Sequence, residues 1–401
     1  MRHDALGVPG GLSHRVMRRP TPEALLDILA ARQPGVRLDP TTARPWAAIA
    51  AAAHAHDVEP LVYDVVTKAG VALPDALGEH LRDRYYHTAA ANAWLMVELA
   101  RLIGALASVG IPVMLLKGAA LVLTVYEHIG LRTLGDVDIL VPPEHASAAI
   151  GAVRAHGYDL VVGNNELAER GKAGADVEAI VAFGGQATLR RQAPPHAIVD
   201  LHWTLVDRPP YRHRLPVETF WRSARPVTVG DAAAVVLSPE ATVLHLCAHL
   251  ALHHPDSQGL ALRWLHDIAE VLVHQGDAFD WPALLGLAEA CDLVLPLQRI
   301  LPAVPAPGRI PSAVLRTVAA LTPSADEHRA AAAVERQRHG LWSEMRVVLA
   351  YTPGWSMRAR YVQAKLVPPL AYMRRRYAIR HPWLAPGYYV YRWLKAVRRA
   401  R

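Results

Sequence analysis

Cysteine is nearly missing from this chain: Cys247 and Cys291 are the two among 401 residues. Neither belongs to a C-x-x-C pair or a His/Cys cluster, so a disulfide framework and a structural zinc site are excluded as organising devices. Phenylalanine occurs three times, aromatics make up 6% of the chain, and the apolar fraction of 52% is inflated by alanine. A core of that kind is built from Ala and Leu and favours helix. Long apolar runs are missing too. The longest, Ala93 to Leu116, is interrupted by Glu98 and Arg101, so no transmembrane segment is expected. Arg2, Arg15, Arg18 and Arg19 make the N-terminus basic, but no apolar h-region follows; a secretory signal is not expected and a soluble, cytoplasmic protein is. There is no internal repeat, heptad array or low-complexity linker.

Acidic residues stop at Glu344, beyond which thirteen Arg and Lys carry the charge. The formal net of +7 therefore leaves the first 344 residues at −6. Tyr and Trp interleave with the basic residues from Tyr351 to Trp393. A stretch of this composition tracks phosphates and stacks bases of RNA, lies on an anionic membrane surface, or packs as a final helical layer on the acidic body. Architectural packing is the expectation preferred here.

What is present is concentrated between Met114 and Val141. Asp136 and Asp138 are separated by one apolar residue and followed by an apolar run. On a strand they project to one side, about 6.5 Å apart, while Val137, Ile139 and Val141 turn to the other. Paired carboxylates of this kind suit Mg²⁺, which shares its coordination with substrate phosphates. Upstream, Ile111 to Leu116 reads as a buried strand, Lys117 to Ala120 as a tight turn and Leu121 to His128 as a helix. A glycine turn delivering a strand into a helix N-terminus forms an anion site, to which Lys117 adds a full charge.

This order resembles the nucleotidyltransferase fold shared by DNA polymerase β. The series Leu116-Lys117-Gly118, Tyr126, Arg132 and Asp136-Val137-Asp138-Ile139-Leu140-Val141 resembles, more closely, the bacterial uncharacterised nucleotidyltransferase family of that superfamily. The family's downstream h-D-L-H-W strand has a counterpart in Val199-Asp200-Leu201-His202-Trp203. Two departures stand out: Ala119 follows Gly118 where Gly or Ser is usual, and the spacing to Asp136 is long. The resemblance implies transfer of a nucleoside monophosphate from an NTP such as ATP, with release of pyrophosphate. Asp136, Asp138 and Asp200 would be the catalytic carboxylates and hold two Mg²⁺ ions, with Asp200 also taking the proton from an acceptor hydroxyl. Lys117, Gly118, Ala119 and Arg132 would bind the nucleotide. His202 and Trp203 would hydrogen-bond beside the metals or meet the acceptor, because Mg²⁺ prefers oxygen. Asp267 and His249 resemble paired positions that the family places behind its catalytic sheet. The acceptor, a small molecule, peptide or protein, is not specified. A non-catalytic nucleotide- or RNA-binding scaffold is the alternative, and three retained carboxylates weigh against it because like charges held together are costly.

The expected fold is α+β: a mixed-sheet nucleotidyltransferase core flanked by helical units, mainly helical overall. Residues 1–109 form an N-terminal helical region with helices over Glu23–Arg32, Trp46–His56, Val58–Ala69, Pro74–Tyr86 and Ala91–Ser108. Residues 110–237 form the core, in which Asn164 to Gly174 reads as a covering loop and Ala179–Phe183 and Ala187–Arg190 as strands. Residues 238–345 form a helical domain opened by the N-cap Ser238, and residues 346–401 the basic aromatic tail. His245, His249 and His253 make a stripe along one helix, either a metal or substrate face or ordinary polar positions.

Overall fold

The computed structural model describes residues 23–161, 177–212, 214–254, 262–306, 308–337, 341–352 and 354–398. The Asn164–Gly174 segment lies outside them. Seven strands form one mixed sheet in the order β3-β4-β5-β2-β1-β7-β6. They are β1 (Met114–Leu115), β2 (Val137–Leu140), β3 (Tyr158–Leu160), β4 (Gln186–Arg191), β5 (Ile198–His202), β6 (Arg225–Val229) and β7 (Ala232–Val236). β2 runs parallel to β5 and β1 parallel to β7, while the remaining pairs are antiparallel. The chain is α+β and mainly helical, as its composition implies.

Period-2 alternation divides the interior in two. Met114, Leu116 and Leu140 point into one core, shared with helices from both sides of the sheet in sequence, including Leu25, Leu61, Leu244, Ile268 and Leu297. Leu115, Val137, Ile139, Val199 and Leu201 point into a second core, with Leu99, Ile103, Ile150 and Val153. The sheet thus has one face toward the mixed helical unit and the other toward the Asp75–Ala107 and Ala146–Ala155 helices.

Three local expectations differ from the structure. The Ala91–Ser108 piece is the second half of one helix, Asp75–Ala107, because nothing from His87 to Ala90 breaks it and Thr88 and Asn92 are buried along its length. That helix is long and apolar enough to cross a membrane, yet Leu99, Leu102, Ile103 and Leu106 belong to the second core. Residues 177–183 are helical instead of extended: Ile180 and Phe183, three apart, turn to the interior together. The helix expected from Leu121 starts four residues earlier, at Lys117.

In the basic segment, Met345 and Val348 of the Leu341–Tyr351 helix and Tyr361 and Ala364 of the Trp355–Leu366 helix enter the second core. Tyr361 meets Phe183 with ring centroids 5.2 Å apart, and Lys365 pairs with Glu344 at 2.9 Å. The last two helices, Leu370–Tyr377 and Ala385–Arg398, share a small core of their own around Tyr372, Met373, Ile379 and Ala385.

Candidate active site

The site begins with strand register. Parallel pairing of β2 and β5 puts Asp138 directly beside Asp200, and in a sheet such partners share a face. His202, two residues beyond Asp200, shares it too. Donor atoms of Asp138, Asp200 and His202 all lie within 4.8 Å of one another. Two carboxylate oxygens with an imidazole nitrogen form a donor set that fits a divalent cation.

Asp138 is buried, and burial alone would raise its pKa. Lys117 Nζ, 2.6 Å from Oδ1, and His202 Nε2, 2.9 Å from the same oxygen, more than offset that. They hold the carboxyl well below the usual carboxylate range. Asp200 is fixed differently: Thr188 donates its hydroxyl to Oδ1 at 2.6 Å and Gln186 donates Nε2 to Oδ2 at 3.2 Å, both from the antiparallel neighbour β4. Asp136 stands just before β2 and opens to solvent. Desolvation by the surrounding protein, followed by the charges of Asp138 and Asp200, pushes its pKa up. The three carboxylates therefore differ: one held by a lysine and an imidazole, one held by neutral donors, one repelled by both neighbours.

The glycine turn has a specific steric basis. A Cβ at Gly118 would lie 2.7 Å from Leu134 Cδ2 and 2.8 Å from Arg132 Nη1. Lys117 itself adopts a left-handed backbone, φ +47°, the region L residues populate sparingly. Arg132 is fully engaged on its far side: Nη2 and Nε donate to Asp267 at 2.8 and 3.3 Å, and Nη1 donates to the Thr133 carbonyl at 2.6 Å. Tyr126 donates its hydroxyl to the same Asp267 at 2.8 Å. Asn92 anchors the connecting segment by donating to the carbonyls of Ile129 and Arg132 at 2.5 and 2.7 Å. Tyr126, Arg132 and Asp267 thereby tie the sheet to the Leu262–Gln275 helix through buried polar contacts.

One cavity of about 480 Å³ gathers these groups. Lys117, Gly118 and Arg132 line it with Asp136, Asp138, Asp200 and His202, and His249 and Asp267 close it from the helical side. Ala119 and Trp203 are not among the lining residues: Ala119 is buried in the second core, and Trp203 faces the same core, donating Nε1 to the Gly184 carbonyl at 2.9 Å. His249 stacks on His253 with centroids 5.3 Å apart and meets Trp264 edge-on at 5.9 Å. Burial, then the positive charge of Lys117, pushes the pKa of His249 well down. His245, deeper on the same helix, falls to about 3 for the same reasons, so the stripe presents neutral imidazoles.

Several residues that line the cavity or hold its carboxylates escaped sequence reading. Gln186 and Thr188 lie on β4, where their period-2 register opposite His202 and Asp200 is the only signal. Asp57, ion-paired with Arg263, reaches the cavity from the N-terminal helices through a left-handed residue, φ +54°. Asp207 is held by Arg212 at 2.6 Å.

A family model described as "Uncharacterised nucleotidyltransferase" matches residues 42–304, a span that contains all seven strands and every residue lining the cavity. No curated protein matches the chain.

Proposed function

Because the chain belongs to the uncharacterised nucleotidyltransferase family, we propose that its cavity transfers a nucleoside monophosphate from an NTP to an acceptor hydroxyl or phosphate, releasing pyrophosphate. The observation carrying this reading is the side-by-side placement of Asp138 and Asp200 across β2 and β5, with Asp136 at the mouth of the same cavity. Asp136, Asp138 and Asp200 would hold two Mg²⁺ ions, which when bound neutralise the triphosphate and activate the attacking oxygen.

The chain's own groups divide the remaining work. Lys117 compensates Asp138 before substrate enters; its ammonium then serves the triphosphate as a compact point charge beside the first turn of the Lys117–Thr124 helix. Arg132 keeps positive charge at the cavity wall while Asp267 fixes its plane. Thr188 and Gln186 orient Asp200, whose carboxylate takes the acceptor proton as general base. His202 holds Asp138 in one rotamer through Nε2. The neutral His249 and Trp264 wall offers planar apolar surface to the nucleotide or acceptor.

A second reading, a non-catalytic nucleotide- or RNA-binding scaffold, is favoured by one observation: Lys117 already satisfies Asp138 at 2.6 Å. Purified protein incubated with each NTP, Mg²⁺ and a panel of acceptors distinguishes them. Pyrophosphate release that Asp138→Asn and Asp200→Ala both abolish supports transfer. Mg²⁺-independent nucleotide binding with no release in any mixture supports the scaffold.

A further inference from the structure

The Ala385–Arg398 helix carries apolar residues on two sides: Ala385, Tyr388 and Tyr389 turn to the small core, and a second set turns outward. Val390, Tyr391 and Leu394 are 50%, 49% and 57% exposed, whereas Arg392 on the opposite side is 8% exposed. Gly387, Val390, Tyr391 and Leu394 recur at i, i+3, i+4 and i+7, the spacing of a single helical face. Trp383, in the turn immediately before the helix, is 74% exposed. An amphipathic helix packed on a soluble protein turns its apolar stripe inward; this one keeps a second apolar stripe in water.

Its orientation is fixed by polar contacts to the segment that follows the Trp355–Leu366 helix and to that helix's end. Arg392 donates Nη2 to the Lys365 carbonyl at 3.3 Å and stacks 5.6 Å over the Tyr372 ring. Trp393 donates Nε1 to the Leu366 carbonyl at 2.8 Å, and Tyr389 donates its hydroxyl to the Pro368 carbonyl. Rotating the helix to hide its apolar face would break all three. The cost of keeping that face in water is offset only when something covers it.

Charge identifies the cover. Lys395 Nζ lies 5.7 Å over the Tyr391 ring, at the border of the exposed face, and Arg374, Arg376 and Arg380 are exposed on the neighbouring segment. No acidic residue follows Glu344. Apolar residues flanked by aromatic rings and basic heads match the layers of an anionic bilayer surface, where Tyr and Trp sit at headgroup depth and long basic side chains reach the phosphates. Bases of RNA stack on aromatic rings and have no use for exposed Val390 and Leu394.

We propose that residues 383–398 dock the protein on an anionic lipid surface, with Trp383, Val390, Tyr391 and Leu394 entering the headgroup boundary and Lys395 bonding lipid phosphates. The docking is independent of nucleotidyl transfer. Sedimentation of the full-length chain with vesicles made of equal parts phosphatidylcholine and phosphatidylserine tests it. Binding is expected to the mixed vesicles, to weaken with salt, and to be weak on phosphatidylcholine alone. The double variant Val390→Glu/Leu394→Glu, with an unchanged circular dichroism spectrum and melting temperature, should bind at least about tenfold more weakly, since carboxylates are set against an anionic surface. Trp383→Ala, outside the helix, should weaken binding in the same direction and serves if the double variant fails to fold. Three results would overturn the proposal: no vesicle binding by the wild-type chain, equal binding by the folded variants, or self-association through this face, abolished by the double variant, in place of lipid binding. Steeply salt-dependent RNA binding without vesicle binding would also reject it.

Discussion

Asp136→Asn and Asp138→Asn, two residues apart on one strand edge, should have opposite effects on the stability of the metal-free protein. Asp138 is buried with Lys117 Nζ at 2.6 Å and His202 Nε2 at 2.9 Å. Removing its charge leaves an ammonium facing a low-dielectric wall without its partner. Breaking a buried pair from one side costs about 3–5 kcal/mol; because Lys117 borders a cavity that admits water, we expect somewhat less than that range, about 2–3 kcal/mol. Asp136 is exposed and its carboxylate is opposed by Asp138 and Asp200, so its neutralisation should be neutral to slightly stabilising, within about 0.5 kcal/mol. The pH dependence follows from the direction of the shift. A carboxyl held below its ordinary value contributes stability above that value and loses it as pH falls through the folded pKa. The gap between wild type and Asp138→Asn should therefore be constant from about pH 5 to 8 and close only in acid, below about pH 4. Urea unfolding in EDTA, followed by tryptophan fluorescence at several pH values, measures all of this. Wild-type stability in Asp138→Asn, or a larger loss in Asp136→Asn, would refute the account of the carboxylate cluster.

Gly118→Ala must push against Leu134 and against Arg132, which Asp267 and the Thr133 carbonyl pin in place; a loss of about 1–3 kcal/mol is expected, and an unchanged melting temperature would refute the steric account. Asp200→Ala should retain Mg²⁺-dependent NTP binding in calorimetry while losing turnover, since Asp138 and Lys117 stay in place; equal loss of both would make Asp200 a primary holder of the nucleotide complex. Glu327 is buried with its Oε1 accepting from the Leu295 amide at 2.6 Å and its Oε2 without a hydrogen-bond partner among the described residues, and burial, assisted by Asp292, pushes its pKa up to about 7. A raised carboxyl destabilises as pH climbs from its unfolded value through the folded one, so Glu327→Gln should stabilise by up to about 3 kcal/mol near pH 8 and by nothing near pH 4. A pH-independent effect on urea midpoints would remove ionisation as the cause.

The sheet side of the site was readable because its chemistry is written at period 2: Asp136-Val137-Asp138 and Asp200-Leu201-His202 declare which face is polar before any partner strand is known. Register across strands was not readable. Nothing local pairs Asp138 with Asp200, or Thr188 with Asp200; those contacts arise from pairing over long sequence separation. The same gap explains Arg132, whose partner Asp267 lies 135 residues away and converts an expected phosphate contact into a buried ion pair as well. Residues 177–183 illustrate a different failure, since a short apolar run has no intrinsic period until the Trp355–Leu366 helix packs against it. The exposed face of the last helix was invisible for the converse reason: composition reveals that aromatics and charges alternate, but only packing tells which side faces water.

The order in which the polypeptide leaves the ribosome gives the Asp138–Asp200 register a temporal meaning. When β2 emerges, its carboxylates face nothing that organises them; β5 follows about sixty residues later, and Asp267, which locks Arg132, later still. A nascent chain at that stage has the acidic side chains without the clustered donor set, so on the proposed reading it would not yet hold a divalent ion. Cation-induced stabilisation, followed along a series of C-terminally shortened chains, would consequently switch on in one step, at the length where the last of these long-range partners is supplied.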